Sequence, residues 1–238
     1  MKKIIFTGGN GRFGNVFRSY KNNYKIYYPT KYILNIENIK SIESYFRKIK
    51  PDYLIHCAGL SRPINIHEND ISKSISTNII GTCNIVKICQ QFQTKLIYFS
   101  TNYVYPGTKG NYKEEDPILP INNYALSKLG GECAVKMYKN SLILRICMTE
   151  KPFIHKQAFS DVEMNFMFHE DLAKNLLKLI DEKGIINVGG KKQTVIKFAK
   201  IYNKTIKSIS AKKVLGKNYP LKQSMNINKY KSIIKINK

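Results

Sequence analysis

The chain has 238 residues, with 40 Lys+Arg against 16 Asp+Glu, a formal net charge of +24, 43% hydrophobic residues and no Trp. That length can bury a sizeable core as one α/β domain with a small appendage. The apolar content excludes a disordered chain, and no apolar run approaches the ~18–20 residues of a membrane span.

The first apolar patch, Ile4–Phe6, runs straight into Thr7-Gly8-Gly9 and is too short for the apolar core of a signal peptide. Five cysteines, at 57, 83, 89, 133 and 147, are odd in number and form no C-x-x-C pair, which argues against a disulfide framework or a zinc site. His56, His67, His155 and His169 have no metal-ligand spacing either. A reducing cytoplasm is the expected compartment. The basic excess is mostly Lys spread over the whole chain. It reads as composition drift rather than a nucleic-acid surface, which should cluster on one face.

In chain order, Lys2–Phe6 reads as a buried strand and Arg12–Lys21 as a helix. Tyr24–Tyr28 reads as a second strand stopped by Pro29. Apolar residues at 39, 42, 46 and 49 predict a helix over Ile39–Ile49. Pro51-Asp52 marks a break before the strand Tyr53–His56. Ile71–Phe92 reads as one long helix and Lys95–Phe99 as a buried strand. A loop with Pro106, Gly107, Gly110, Pro117 and Pro120 follows. Tyr124–Tyr138 reads as a helix and Ser141–Ile146 as a strand. This alternation predicts parallel βαβ units in a doubly wound sheet. Beyond about residue 150 the pattern loosens into a helix over Glu170–Leu179, a strand over Gly184–Val188 and a helix over Thr194–Tyr202. That third is expected to cap the carboxyl ends of the strands, where ligands of such sheets sit.

Two local patterns carry chemistry. Thr7-Gly8-Gly9-Asn10-Gly11-Arg12-Phe13-Gly14 lies directly after a strand and before a helix, the context in which a glycine turn holds a dinucleotide pyrophosphate. The second strand closes on Tyr28-Pro29-Thr30-Lys31, without the carboxylate that binds a ribose 2′-hydroxyl. That absence, with Lys31 and Arg12 nearby, favours NADP over NAD. In Tyr124-Ala125-Leu126-Ser127-Lys128, the phenol and ammonium are four apart and share a helix face. The ammonium stabilises phenolate, which suits the tyrosine to proton exchange with a carbonyl or alcohol oxygen. Ser100-Thr101, at a strand's carboxyl end, could hold the same oxygen.

With these residues in order, the sequence resembles the extended short-chain dehydrogenase/reductases that act on nucleotide sugars, most of all the dTDP-4-dehydrorhamnose reductase-like proteins. Gly8, Gly11 and Gly14 match the cofactor loop, and Leu34-Asn35-Ile36 looks like the adenine contact, with Asn in place of Asp. Lys50-Pro51-Asp52 and His56-Cys57-Ala58-Gly59 match the third strand and its turn. Asn78-Ile79-Ile80-Gly81-Thr82 matches the helix bearing the active-site Asn, and Ser100–Tyr105 the hydroxyl segment.

The resemblance implies an α/β, Rossmann-type NAD(P)-binding domain over 1–150. It also implies a small substrate-binding region over 151–238, with elements returning to the core. It implies Tyr124 as general acid, Lys128 as the group lowering its pKa and holding the nicotinamide ribose, and Thr101 on the reacting oxygen. Asn78 would order the helix and water near Lys128. The cofactor would be held by Gly8, Asn10, Gly11, Arg12, Phe13, Gly14, Lys31, Asn35, Ile36, Cys57, Ala58 and Gly59, with Tyr124 and Lys128. The substrate would be met by Ser61, Thr101, Asn102 and Tyr103.

Asn102-Tyr103 replaces the Asp-Glu of the 4,6-dehydratases, so reduction of a nucleotide-linked 4-keto-6-deoxy sugar is expected rather than dehydration. A 4-epimerase with tightly held NAD and a non-catalytic NADP-binding regulatory subunit are the alternatives. The expected partners are the nucleotide sugar and a second copy in a homodimer, with neither membrane nor nucleic acid.

Overall fold

The computed structural model describes residues 1–236. Its central sheet has six strands. β1 (Lys3–Thr7), β2 (Lys25–Tyr27), β3 (Tyr53–His56), β4 (Lys95–Thr101) and β5 (Ser141–Ile146) are joined by a strand over Gly184–Val188. Their order is Gly184–Val188, β5, β4, β3, β1, β2. β2, β1, β3 and β4 pair in parallel, with Ile5 opposite Tyr27 on one side and Leu54 on the other. The chain leaves β1 towards β2 and returns to the other side for β3. This makes β1/β3 the switch point, the place where such sheets open a crevice at their carboxyl ends.

The middles of β1, β3, β4 and β5 are apolar because both faces of the sheet are covered. On one face Phe6 and Phe99 meet Phe13 and Phe17 of α1 (Arg12–Arg18), with ring centroids 5.2 Å apart for Phe6–Phe17 and 5.3 Å for Phe13–Phe99. On the other, Ile5, Leu54, Leu96, Tyr98 and Ile143 form a core. The helices there are α2 (Ile39–Ile49), α5 (Gly81–Gln91) and α6 (Asn123–Met137), which contribute Ile42, Phe46, Ile85, Ile88 and Val135. α2 begins where the Asn38 side chain accepts the Ser41 N–H, and ends at Lys50, left-handed at φ 53°, just before Pro51.

The segment expected as one helix over Ile71–Phe92 is three. α4 (Ile71–Ser74), preceded by the short α3 (Ile66–Asn69), leads into a π-helical turn over Ile75–Ile80 before α5. An apolar period does not distinguish α from π winding, and π turns recur where a side chain must be re-aimed. Here that side chain is the buried Asn78.

The chain divides into two compact units. The first comprises Met1–Ser100, Asn122–Leu144 and Ile180–Ile185; the second comprises Thr101–Ile121, Arg145–Leu179 and 186–238. The second holds three two-stranded ladders that the sequence did not announce: Met148–Thr149 with Met167–Phe168, Gln157–Phe159 with Lys207–Ile209, and Glu163–Met164 with Gln193–Thr194. Phe198 packs there against Phe168, with ring centroids 4.9 Å apart. A buried network also ties Arg145 to the Tyr105 hydroxyl at 2.7 Å, and that hydroxyl to Asn187 at 2.9 Å. The Glu114 carboxylate accepts the Asn187 N–H at 3.0 Å.

Within the first unit a polar relay crosses the sheet's carboxyl end. Thr82 Oγ1 donates its single proton to the Asn78 carbonyl at 2.7 Å, so it must accept from His56 Nε2–H at 3.1 Å. His56 Nδ1 then accepts from Thr7 Oγ1 at 2.8 Å. Burial, helped by Lys128, pushes His56 down to about 3. The unfolded chain therefore takes up this proton at a higher pH than the folded one. The resulting stability is complete above the ordinary value of 6.5 and is lost as pH falls from there through about 3. Urea unfolding is expected to show roughly 2 kcal/mol less stability at pH 5 than at pH 8 from this group alone. A His56→Gln variant should show a flatter dependence; an equal slope would remove His56 as its source.

Candidate active site

The glycine turn after β1 is fixed by close backbone approach. Gly8 has φ +76°, and a Cβ there would stand 2.6 Å from the Ala58 nitrogen in the turn after β3. Only glycine fits that position. The turn closes with the Gly11 N–H on the Gly8 carbonyl at 2.9 Å. Asn10 and Arg12 are exposed beside it, whereas the Phe13 ring is buried in the core, leaving Phe13 its backbone for any ligand. Arg12 donates to the Ser61 hydroxyl at 3.1 Å.

At the end of β2, where a carboxylate is absent, Tyr28 stands next to Gly9. The Arg18 guanidinium lies 4.4 Å from the Tyr28 ring centroid and donates to Asn10 Oδ1 at 2.6 Å. Sequence reasoning passed over Arg18, because ten residues and a change of element separate it from Tyr28. Lys31 lies on an exposed turn. Asn35 accepts the Glu37 N–H at 3.1 Å, and Ile36 is buried against α5 at Gly81.

Asn78 acts as a double clamp. Its Oδ1 accepts the Leu60 N–H at 2.7 Å and its Nδ2 donates to the Leu60 carbonyl at 2.9 Å. The same Nδ2 donates to Ser127 Oγ at 2.8 Å, and Ser127 in turn donates to the Tyr124 carbonyl at 2.8 Å. The π turn is thus tied to the segment after β3 and to the first turn of α6. A Cβ on Gly131 would stand 2.8 Å from the Asn78 carbonyl, so the two helices touch at their backbones.

Lys128 is buried at 7% exposure, its Nζ 4.2 Å from the Tyr98 ring centroid. A Cβ on Gly59 would lie 3.8 Å from that Nζ and 3.1 Å from Asn78 Oδ1. The turn Cys57-Ala58-Gly59 therefore meets the glycine turn on one side and the Tyr124–Lys128 face of α6 on the other. Burial lowers Lys128 to about 8, while Cys57 and Glu132 act to raise it. Burial also pushes the Cys57 thiol up to about 12. Glu132, one turn beyond Lys128 on α6 and 2% exposed, accepts from Ser100 Oγ at 2.6 Å. It completes a row of phenol, ammonium and carboxylate along the helix that the sequence reading left two members long.

Thr101, the last residue of β4, is buried and its Oγ1 accepts the Tyr103 N–H at 3.3 Å. Asn102 is buried beside it with Nδ2 unpartnered among the described residues, and Tyr103 is half-buried. No helix among the described residues is long and apolar enough to cross a membrane.

A parallel doubly wound sheet, a glycine turn at its switch point and a Tyr-x-x-x-Lys helix define an extended short-chain dehydrogenase/reductase. A family model described as the RmlD substrate binding domain matches residues 1–151, and the chain belongs to that family. It is similar to the dTDP-4-dehydrorhamnose reductase of Bacillus anthracis str. Ames, solved in complex with NADP. The two are 26% identical with a TM-score of 0.86, over 98% of this chain and 93% of that one. Methionine adenosyltransferase 2 subunit beta of Xenopus laevis is 29% identical over 155 residues, 61% of this chain and 46% of that protein. The spore coat polysaccharide biosynthesis protein SpsK of Bacillus subtilis is 29% identical over 150 residues, 61% and 52% respectively. The chain spans about half the length of the curated relatives it matches.

Replacing Glu132 by Gln removes a negative charge that favours the Lys128 ammonium. The Lys128 side-chain resonance, assigned by its loss in Lys128→Met, is expected to titrate below about 8 in Glu132→Gln. An unchanged midpoint would show that the carboxylate does not act on Lys128.

Proposed function

We propose that this protein is an NADP-dependent reductase of a nucleotide-linked 4-keto-6-deoxy sugar. The observation that carries this reading is the meeting at Cys57–Gly59 of the glycine turn with Lys128, because it brings a dinucleotide cradle and a proton-transfer pair into one unit. When bound, the cofactor supplies the hydride for the sugar carbonyl carbon. Tyr124 donates the proton that the oxygen takes up. Lys128 holds the nicotinamide ribose and favours phenolate once the proton has left. Thr101 is given the hydrogen bond to the reacting oxygen on its motif alone, and the same holds for Ser61, Asn102 and Tyr103 against the substrate. The likeness to a reductase solved with NADP and to a polysaccharide biosynthesis protein supports the same reading.

Arg18, stacked on Tyr28 where an acid would repel a 2′-phosphate, is the cation we assign to that phosphate, beside Arg12 and Lys31. NADPH should then bind more tightly than NADH. Arg18→Glu should reverse the preference, losing NADPH affinity by about 1–3 kcal/mol of charge-assisted bonding while NADH is little affected. Equal loss of both cofactors in a fluorescence titration would place Arg18 elsewhere.

The reading as a whole is tested with a panel of keto-sugar nucleotides scored by NADPH absorbance. One member is expected to be reduced, and none dehydrated. Tyr124→Phe should lower that turnover by about 10²–10⁴ with cofactor affinity retained, and Lys128→Met should damage both. Firm NADPH binding without turnover on any member would favour instead a cofactor-binding subunit. The similarity to methionine adenosyltransferase 2 subunit beta keeps that second reading in view.

A further inference from the structure

His67 belongs to no motif, yet it is fully buried in α3 with its ring against Tyr124, at 5.1 Å between ring centroids and 57° between planes. Its Nδ1 is bonded to Ser74 Oγ of α4 at 2.7 Å, and its Nε2 has no hydrogen-bond partner among the described residues. The segment is held to α6 from a second side, because Asn123 Nδ2 donates to the Glu68 carboxylate and, at 3.5 Å, to the His67 carbonyl. The Tyr124 backbone is secured separately through Ser127 and Asn78. The phenol ring is therefore flanked by an imidazole that the hydrogen bond to Ser74 orients.

We propose that His67 is a positioning residue for Tyr124: the neutral imidazole holds the phenol in the geometry of proton transfer, and protonating the imidazole releases it. This rests on the reductase reading for its catalytic consequence, though not for the ring contact itself.

The charges around His67 support the neutral form. Lys128 faces it from α6 and disfavours a second cation, burial acts the same way, and only Glu68 on its own helix opposes them. Tyr124 contributes an uncharged ring, and Ser74 a hydroxyl. An imidazolium would also place a charged N–H where Nε2 meets no acceptor among the described residues, which disfavours protonation with the ring in place. The functional signature is specific. Reduction needs Tyr124 protonated and Lys128 charged, and falling pH favours both. A loss of turnover on the acid side therefore requires another group, and its disappearance in His67→Phe would identify that group as His67.

The test uses the full chain labelled with carbon-13 at tyrosine Cζ and histidine Cε1. Tyr124 is assigned by Tyr124→Phe and His67 by His67→Phe. In the wild-type protein the Tyr124 signal should shift with the same midpoint as His67, below 6.5, and the shift should vanish in His67→Phe, whose ring packs but takes no proton. With a reduced keto sugar in hand, wild-type kcat should fall below that midpoint by up to about tenfold per pH unit, the slope of one proton, with KM for cofactor steady. His67→Phe should lack this acid limb. His67→Ala, which removes the flanking ring, should lower kcat about tenfold or more, within the range of misplaced acid–base groups.

A Tyr124 signal that ignores His67 protonation, or that keeps its acid step in His67→Phe, overturns the proposal. So does an acid limb shared by both enzymes. If the linked titration is present and no keto sugar is reduced, the reductase reading fails and the ring contact stands.

Discussion

A single buried ammonium organises the first unit. Lys128 is removed from water at the carboxyl end of the sheet, and desolvation of a charge is tolerable only where the surroundings answer it. The answer has three parts: the face of Tyr98, the carboxylate of Glu132 one turn away, and neighbours that stay uncharged. His56 and His67 are both held neutral, and Lys128 contributes to each. The hydrogen-bond relay from Thr7 through His56 and Thr82 to Asn78 has one consistent direction only when His56 is neutral. Burial first, and the cation second, therefore keep the relay in that direction.

The same constraint explains why α6 must lie so close to the π turn. Lys128 reaches Gly59 only if α6 sits low on the sheet, and it can do so because Gly131 offers no side chain to the Asn78 carbonyl. Asn78, re-aimed by the π turn, then spends its amide on Leu60 and Ser127. One short side chain thus sets both the start of the segment after β3 and the first turn of α6. Tyr124, in the first turn of α6, is held by this same rigidity.

How far this was legible depends on whether the signal was local. α2 was readable to the residue, because its apolar period, its Asn38 cap and Pro51 all lie within fifteen positions. β3 and β5 were readable as short apolar runs between breaks. The glycine turn and the helix carrying Tyr124 and Lys128 were readable because their patterns are local. The π turn was hidden, since its cause is the tertiary demand on Asn78 rather than any period in Ile71–Phe92. The two-residue ladders of the second unit are too short to show alternation. The C-terminal helix Asn228–Ile236, with its buried Tyr230, went unread because lysines interrupt its apolar residues. Arg18, Glu132 and His67 were missed for one reason: each meets its partner on another element, Tyr28, Ser100 and Tyr124 in turn.

The charge imbalance can be understood from what the few acids do. Glu114 accepts the Asn187 N–H, and Asp161 accepts from Ser210 and the Ala211 N–H. Asp171 accepts the Phe168 N–H, and Asp181 accepts from Tyr53. Carboxylates in these places build the fold by terminating backbone donors, a role lysine has no acceptor to fill. These four acids are thus engaged in structure, while most of the lysines lie on the exterior. A cation-rich exterior raises the local concentration of anions before any specific contact forms. That general attraction suits a ligand carrying a diphosphate. Most of these cations are lysines spread over the surface, whereas Arg18 is fixed by Tyr28 and Asn10.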